Sequence, residues 1–247
     1  MRGALYLTDA YLRTVDATID GEAEGGVVLH QSVFYPEGGG QPGDSGVLRG
    51  ASGTEWVVSG ARKGPTGVVH LIDRPPFPHV GATVRAEIDW TRRYQHMRYH
   101  TCLHLLSGAV FRRFGSGITG GQIYTDRART DFALPEFGRE VAEQLIADVN
   151  RVVSEARPIH VRSIPRAEAE RDPTLVRVAA ELMPQVEEVR LIDIEGYDVQ
   201  ADGGTHVRST AEVGKVRLQK IENKGGRNKR LYLTLDAAIP DDPPALV

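Results

Sequence analysis

Residues 89–114 have the sequence DWTRRYQHMRYHTCLHLLSGAVFRRF, which contains no proline and no glycine before Gly108. Asp89 can cap the first turn of a helix here, because its carboxylate accepts hydrogen bonds from backbone N–H groups that lack a partner within the helix. Apolar residues recur at spacings of three and four and form one stripe: Met97, Leu103, Leu106, Val110 and Phe114. The stretch therefore predicts one continuous helix over residues 90–114.

The sequence before this helix is typical of an all-β module. Residues 1–89 contain short runs rich in valine and isoleucine, separated by glycine, proline and other turn residues. Such side chains fit a pleated surface, and closely spaced turns favour a small antiparallel barrel or sandwich. The clearest runs are 4–7, 26–29, 54–58, 67–72 and 83–88.

The sequence after the helix mixes both kinds of element. Residues 139–156 predict a second helix, and three later segments predict strands: 189–194, 214–221 and 231–235. We therefore predict an α+β fold in two domains. Residues 1–89 form an antiparallel β-barrel module with a glycine-rich loop, and residues 90–247 form an α+β domain that begins with the long helix.

Composition limits the classes of partner and compartment. The 247 residues carry 30 basic and 33 acidic side chains, a formal net charge of -3, which excludes a polycation that binds nucleic acid through bulk charge. No apolar run approaches the roughly 20 residues of a membrane span, and residues 1–12 lack the pattern of an export signal. A single cysteine, Cys102, excludes an internal disulfide and suits the reducing cytoplasm.

Two pairs of residues with the same spacing indicate a metal site. His100 and His104 are four apart on the predicted helix and so lie on one face. Asp202 and His206 are also four apart, and the two glycines between them permit a tight turn. The alternatives are helix-packing histidines and a plain β-turn. A zincin protease is excluded, because Thr101 stands where H-E-x-x-H requires glutamate.

Four segments together resemble the alanyl-tRNA editing proteins, which are related to the editing domain of alanyl-tRNA synthetase. Residues 34–46 (FYPEGGGQPGDSG) are similar to the glycine-rich loop of that family, and residues 100–106 (HTCLHLL) to its helical H-T-x-x-H-L-L motif. Residues 201–207 (ADGGTHV) and 210–214 (TAEVG) match A-C-G-G-T-H-V…T-x-E-[IV]-G with one departure. Residues 220–230 (KIENKGGRNKR) are close to the K-I-E-N-K-G-x-x-N-[RK]-R stretch of free-standing members.

The resemblance implies a barrel followed by an editing domain, and hydrolysis of the ester that joins a wrong amino acid, chiefly serine and also glycine, to alanine-specific tRNA. It also implies one zinc ion per chain, with ligands that map to His100, His104, His206 and Asp202. The family has cysteine at the position of Asp202. Carboxylate oxygen and histidine nitrogen bind zinc at similar distances, so we predict that a metal still binds, at a site with a harder donor set.

Contacts with tRNA are predicted in the glycine-rich loop and in a basic segment near the C-terminus: Gly38, Gly39, Gly40, Gln41, Lys220, Lys224, Arg227, Lys229 and Arg230. Residues 223–229 have the pattern of a hairpin tip that presents basic groups to phosphates. The alternatives are a solvated basic face and a structural tight turn. The three glycines lack the G-K-[ST] of a phosphate-binding loop, and we predict no dinucleotide cofactor.

The predicted function is a metal-dependent aminoacyl-tRNA hydrolase of translation fidelity, with Thr101 and Thr205 as polar neighbours of the aminoacyl group. A pocket that hydrogen-bonds the seryl hydroxyl would reject alanine, and Thr101, Cys102 and Gln122 are candidates for that contact. Two alternatives stay open: a tRNA-binding module that lost catalysis when cysteine became Asp202, and editing of a different mischarged tRNA. The oligomeric state is not predicted.

Overall fold

A computed structural model describes residues 3–134, 138–172, 174–176, 186–224 and 228–236. The chain forms two compact units, Met1–His96 and Met97–Val247, and the predicted domain boundary after residue 89 stays a prediction. The α-helices are α1 (Trp90–Phe114), α2 (Arg139–Ser154) and α3 (Arg166–Ala169). The strands are β1 (Thr14–Ala23), β2 (Gly26–Leu29), β3 (Gly46–Gly50), β4 (Glu55–Lys63), β5 (Val68–Ile72), β6 (Thr83–Ile88), β7 (Ile118–Ile123), β8 (Ala128–Phe132), β9 (Ile159–Pro165), β10 (Glu188–Ile194), β11 (Asp198–Ala201), β12 (Val216–Asn223) and β13 (Lys229–Leu235). Among the described residues, none of the helices is long and apolar enough to cross a membrane.

The first unit is built on an antiparallel barrel. In its described part, six strands close in the order β1–β2–β5–β4–β3–β6. In β6 the side chains of Val84, Ala86 and Ile88 are buried while those between them are more exposed, as expected when one strand face lines a core. The predicted α+β fold class with an N-terminal barrel is confirmed.

Two short segments of this unit differ from the sequence prediction. Residues 4–7 were predicted as part of a strand, but Leu5–Leu7 form a 3-10 helix. The reason is local hydrogen bonding, since the carbonyl of Leu5 accepts from the N–H groups of Thr8 and Asp9 at 3.1 and 2.9 Å. Conversely β1, which was not among the clearest runs, pairs with both β2 and β6.

A buried ion pair anchors the glycine-rich loop within the first unit. Arg93, on the first turn of α1, and Asp44 both have side chains with 0% exposure and are bonded to each other. Asp44 also accepts the backbone N–H of Tyr35 at 2.6 Å, and Arg93 donates to the carbonyl of Ala10 at 2.8 Å. Removing either partner would leave the other charge buried and uncompensated, so we expect the loss of Arg93 or Asp44 to destabilise this part of the loop.

A buried histidine lies inside the barrel. The Nε2 of His70 is 2.8 Å from the Ser32 hydroxyl, its Nδ1 is 3.2 Å from the Val27 carbonyl, and the side chain is wholly buried. Burial disfavours the charged imidazolium and lowers the pKa of His70 from 6.5 to about 4, against smaller opposing effects of the Val27 and Val68 backbone hydrogen bonds. His70 is therefore neutral in the folded protein at neutral pH.

We expect the barrel to lose stability as the pH falls from about 6.5 to about 4, because in that window the unfolded chain takes up a proton at His70 that the folded barrel does not. The shift corresponds to about 3 kcal/mol of unfolding free energy. Urea titrations at pH 4 to 7 would measure it through the fluorescence of Trp56 and Trp90, both in this unit. A His70→Gln variant should have a shallower pH dependence, and parallel curves for the two proteins would contradict the prediction.

The second unit contains the rest of α1 and two antiparallel sheets. Strands β12–β13–β8–β7 form one sheet and β11–β10–β9 another, with antiparallel neighbours. The predicted helix over 90–114 is confirmed at both ends, and Asp89 caps it by accepting the N–H of Arg92 at 3.1 Å. The second helix ends at Ser154 rather than residue 156, because Ala156 has a positive φ of 51°.

Candidate metal centre

Two imidazoles lie one turn apart on α1. His100 and His104 are 5% and 7% exposed, and their ring centroids are 5.3 Å apart. A spacing of four residues sets both side chains on one face of the helix. The helix therefore presents two nitrogen donors to one point.

Strand β11 carries the second pair to the same helix. The Tyr197 hydroxyl donates to the carbonyl of Leu105 at 2.7 Å, and the Ser107 hydroxyl donates to the side-chain oxygen of Gln200 at 3.0 Å. These bonds hold β11 along α1. Asp202, the first residue after the strand, is thereby brought to the turns that carry the histidines.

The four predicted ligands come together in one cluster. The Asp202 Oδ1 is 3.5 Å from the Nε2 of His100 and 3.9 Å from the Nε2 of His104, and its Oδ2 is 3.2 Å from the Nε2 of His206. One ligand atom from each of the four residues lies within 4.8 Å of the others. Three imidazoles and one carboxylate thus converge from parts of the chain almost a hundred residues apart.

Gly204 makes this approach sterically feasible. A β-carbon at Gly204 would overlap the His100 ring at Cε1 and Nδ1 and lie 3.0 Å from Oδ2 of Asp202. The N–H of Gly204 also donates to that same oxygen. A β-carbon at the neighbouring Gly203 would meet nothing within 4 Å. Glycine is therefore required at the second position of the pair but not at the first.

Arg190, in β10, holds the ligand loop in place. Its Nη1 donates to the carbonyls of Asp202 and Gly204 at 3.0 and 2.9 Å, and its own carbonyl accepts the N–H of Asp202 at 3.1 Å. Sequence reasoning missed this residue, since the pattern of 189–194 predicts only a strand. No local signal marks an arginine whose partners are backbone carbonyls of another segment.

Thr101 orients one of the imidazoles. Its hydroxyl oxygen is 3.1 Å from the Nδ1 of His206 and accepts the N–H of Val207 at 3.3 Å. With the proton on Nδ1, His206 donates to Thr101 and turns the lone pair of Nε2 toward the cluster. The structure thus places Thr101 beside a candidate ligand, as a positioning residue. Thr205 is wholly buried directly before His206.

The cluster favours an ionised carboxylate at Asp202 and a neutral imidazole at His206. Burial opposes the charge on Asp202, but His100, His206 and His104 outweigh it and hold the pKa of Asp202 well below its usual value. Burial, together with His100 and His104, lowers the pKa of His206 well below its usual value despite the opposing effect of Asp202. These are the protonation states that a metal ligand requires.

The donor set fits a small divalent metal ion. Four donors at about 2.0–2.2 Å around a tetrahedral zinc ion are spaced by about 3.4 Å, and the contacts of Asp202 with the three imidazoles run from 3.2 to 3.9 Å. Mixed nitrogen and oxygen ligands are within the chemistry of zinc and of other borderline divalent ions.

Cys102, one of the candidates for sensing the seryl hydroxyl, is as inaccessible as Thr101, since both residues are 0% exposed. Its side chain is wholly buried, and burial raises the pKa of the thiol to about 12 despite the nearby charge of Arg98. It therefore supplies no thiolate. Gln122, in β7, is half-buried, and its amide donates to the carbonyl of Ile123 at 3.4 Å.

The glycine-rich loop belongs to the first unit and forms a tight turn. Gly38 and Gln41 exchange backbone hydrogen bonds at 3.1 and 2.9 Å, and Gly39 and Gly40 have positive φ angles of 58° and 79°. Gln41 is wholly buried, so its side chain packs inside this unit. The alternative of a structural turn accounts for these observations, and a role of the loop in tRNA binding stays a prediction.

The predicted basic segment is only partly directed to solvent. Lys220 and Lys224 are exposed and both pair with Glu222. Lys229 is only 8% exposed and donates to the side-chain oxygen of Asn223 at 2.8 Å.

Arg230 is half-buried and turned toward Asp131, to which it donates twice, at 2.6 and 2.7 Å. Pairing across β8 and β13 brings these two side chains together, so neither Lys229 nor Arg230 is presented outward as the hairpin-tip pattern predicts. The tip itself, with Arg227, lies outside the described residues.

Comparison with known proteins gives two family matches. Residues 189–232 match the model described as the threonyl and alanyl tRNA synthetase second additional domain, and residues 8–92 match the model of class II (A) tRNA synthetases. The first match covers Asp202 and His206, and the second covers the barrel.

Individual proteins are similar over nearly the whole chain. The alanyl-tRNA editing protein AlaX-M of Methanosarcina barkeri is 37% identical over 95% of this chain and 99% of its own length. The protein of the same name from Saccharolobus solfataricus is 36% identical over 95% and 99%. An alanine–tRNA ligase from Pyrococcus furiosus is 36% identical over 95% of this chain but only 26% of its own length.

Proposed function

Because the chain belongs to the family of alanyl-tRNA editing proteins, we propose that it hydrolyses the ester that joins a wrong amino acid to alanine-specific tRNA. The preferred amino acid is serine, followed by glycine. The observation that carries the proposal is the convergence of His100, His104, Asp202 and His206 within one buried cluster. In the reaction water adds to the ester carbonyl, the bond to the terminal ribose oxygen breaks, and amino acid and tRNA are released. The reaction belongs to translation and hence to the cytoplasm.

We propose that the same four residues hold one zinc ion. A bound ion of this kind supplies Lewis acidity for ester hydrolysis. Asp202 contributes an oxygen where the family resemblance has a thiolate, which shifts preference away from soft metals. The net charge of the donor set is the same with carboxylate as with one thiolate, so the change alters the softness of the site and not its charge.

Other residues of the site hold the ligands in position. Thr101 fixes the ring of His206, and Arg190 with the N–H of Gly204 fixes Asp202. Residues with side chains held by such contacts need little reorganisation during a reaction. The imidazoles are each less than 8% exposed, so bulk water has limited access to their nitrogen atoms.

Contact with tRNA is proposed for the exposed part of the basic segment. Lys220 and Lys224 lie at the solvent-exposed surface of the second unit, where Glu222 neutralises part of their charge. Phosphate contacts of this kind give affinity without base specificity. The glycine-rich loop, residues 38–41, remains a second proposed contact.

A deacylation assay with and without a chelator tests the proposal. We expect zinc-loaded protein to release serine from seryl-tRNA for alanine at least about 100-fold faster than metal-stripped protein, and to spare alanyl-tRNA. Metal content is measured in parallel by mass spectrometry, with readdition of zinc as the control. Binding of seryl-tRNA without release of serine would support the non-catalytic module instead. Release from another mischarged tRNA only would support the second alternative.

A further inference from the structure

A pocket rich in arginine lies on the second unit, where the end of α1, α2 and the turn between β10 and β11 meet. Its volume is about 360 Å³. The polar and aromatic side chains that line it are Arg112, Arg113, Asp148, Arg151, Arg157 and Tyr197. None of the residues already assigned to the metal centre or to tRNA contact is among them.

The pocket concentrates positive charge on a protein of negative net charge. Its lining has four guanidinium groups and one carboxylate, Asp148. A second carboxylate, Glu155, binds Arg151 at 2.6 Å and Arg157 at 2.5 Å. A third carboxylate, Asp198, acts on the lining residue Tyr197. Four positive and three negative groups leave a local charge of +1, whereas the whole chain carries -3. Since like charges repel, such a cluster is most stable when an anion joins it.

Two of the arginines are held in position by the protein. Arg112 donates to the carbonyl of Tyr197 at 2.8 Å, and its guanidinium lies 3.6 Å from the centre of that ring. Arg157 donates to the carbonyl of Glu195 at 2.9 Å. Gly196 has a φ of 62°, and a β-carbon there would come within 3.0 Å of the Nη1 of Arg157. A guanidinium has five N–H donors, more than these contacts of the described residues use.

We propose that this pocket binds a backbone phosphate of the acceptor end of tRNA, an inference that rests on the proposed function. Guanidinium groups match phosphate oxygens in a bidentate manner. Arg112 is eight residues beyond His104 on the same helix, about 12 Å along its axis. The aminoacyl ester is carried by the last nucleotide of the single-stranded end of tRNA, and the phosphates of the preceding nucleotides follow along the strand. The pocket is therefore a few nucleotides from an ester held at the metal centre.

The test removes the charges of Arg113 and Arg151. It keeps Arg112 and Arg157, which contact Tyr197 and Glu195. The double variant Arg113→Gln/Arg151→Gln is compared with Arg139→Gln/Arg162→Gln, whose exposed arginines pair with Glu143 and Asp193 outside the pocket. Fluorescence anisotropy measures the Kd for uncharged alanine tRNA, and for a minihelix of its acceptor stem, over a range of salt concentrations. Steady-state deacylation of seryl-tRNA gives kcat and KM separately.

For both RNAs we expect the pocket variant to bind about tenfold more weakly than wild type and to have a salt slope smaller by about 1 to 2. KM should rise with little change in kcat, and the control variant should bind within about twofold of wild type. If both double variants bound RNA equally more weakly than wild type, the proposal would be overturned. The same holds if the pocket variant lost affinity for full-length tRNA but not for the minihelix. Titration with inorganic phosphate that shows tight binding lost in the pocket variant while RNA affinity is unchanged would also overturn it. Because the binding measurements use uncharged RNA, they stand even if no hydrolysis is found.

Discussion

Gly204→Ala is expected to abolish both metal binding and hydrolysis, whereas Gly203→Ala should behave as wild type. The β-carbon added at Gly204 would overlap two atoms of the His100 ring and crowd Oδ2 of Asp202, whereas the one added at Gly203 meets open space. The neighbouring side chains cannot easily move away from the added β-carbon. The His100 ring is buried, and Arg190 holds the backbone of Asp202 by a hydrogen bond to its carbonyl. We expect at least about a 100-fold loss of metal affinity and a comparable loss of serine release.

The measurement is zinc affinity by competition with a chromophoric chelator, together with deacylation of seryl-tRNA. Circular dichroism of both variants checks that the fold is retained. The pair is a matched control, since both substitutions add the same methyl group one residue apart. Similar losses in Gly203→Ala and Gly204→Ala would show that the loop is sensitive to any substitution, and would remove the steric explanation.

Asp202→Asn is expected to lose the metal, while Asp202→Cys should keep it with a changed preference. Asparagine has the shape of aspartate but no charge, and it leaves the three imidazoles without a compensating anion. We expect a loss of zinc affinity and of hydrolysis of at least about 100-fold. Cysteine supplies a thiolate, a softer donor, so affinity for cadmium should rise relative to that for zinc.

Metal titrations with zinc and cadmium, followed by deacylation assays of each loaded protein, test both variants. If Asp202→Cys binds zinc and hydrolyses within about tenfold of wild type, Asp202 acts as a ligand that thiolate can replace. If it binds zinc but is inactive, the carboxylate has a further role in the reaction. Undiminished zinc affinity in Asp202→Asn would show that Asp202 is not a ligand, and would contradict the assignment of the centre.

Local pattern predicted the elements that depend on near neighbours in sequence. The helix α1 follows from its cap, its apolar stripe and the absence of proline, and the structure has it over the same residues. The strand 83–88 was also found with the same bounds. The prediction of a strand at residues 4–7 was wrong, because a helical turn that closes on the carbonyl of Leu5 competes with strand pairing. An apolar run alone does not distinguish a short helix from a strand.

In the basic segment, the sequence pattern was not enough to predict which side chains face solvent. Residues 223–229, with two glycines among them, predict a hairpin tip that points outward. The directions of the Lys229 and Arg230 side chains instead depend on their hydrogen bonds to Asn223 and to Asp131, which is 99 positions from Arg230. The same holds for the metal centre. The spacing of each pair comes from the sequence, whereas the distance between the pairs depends on the bonds of Tyr197 and Ser107 that hold β11 to α1.

The order of residues alone predicted the long helix and an antiparallel β-module, because helix periodicity and strand patterning are local properties. The spacing of the two pairs indicated a metal site, and the family resemblance named the four candidate ligands. Only the folded chain decided that the ligands meet, that Gly204 must lack a side chain, and that Arg190 clamps the loop. It also decided which arginines gather beyond the end of β10. These depend on side chains brought within a few ångströms by packing, and no spacing along the chain encodes such distances.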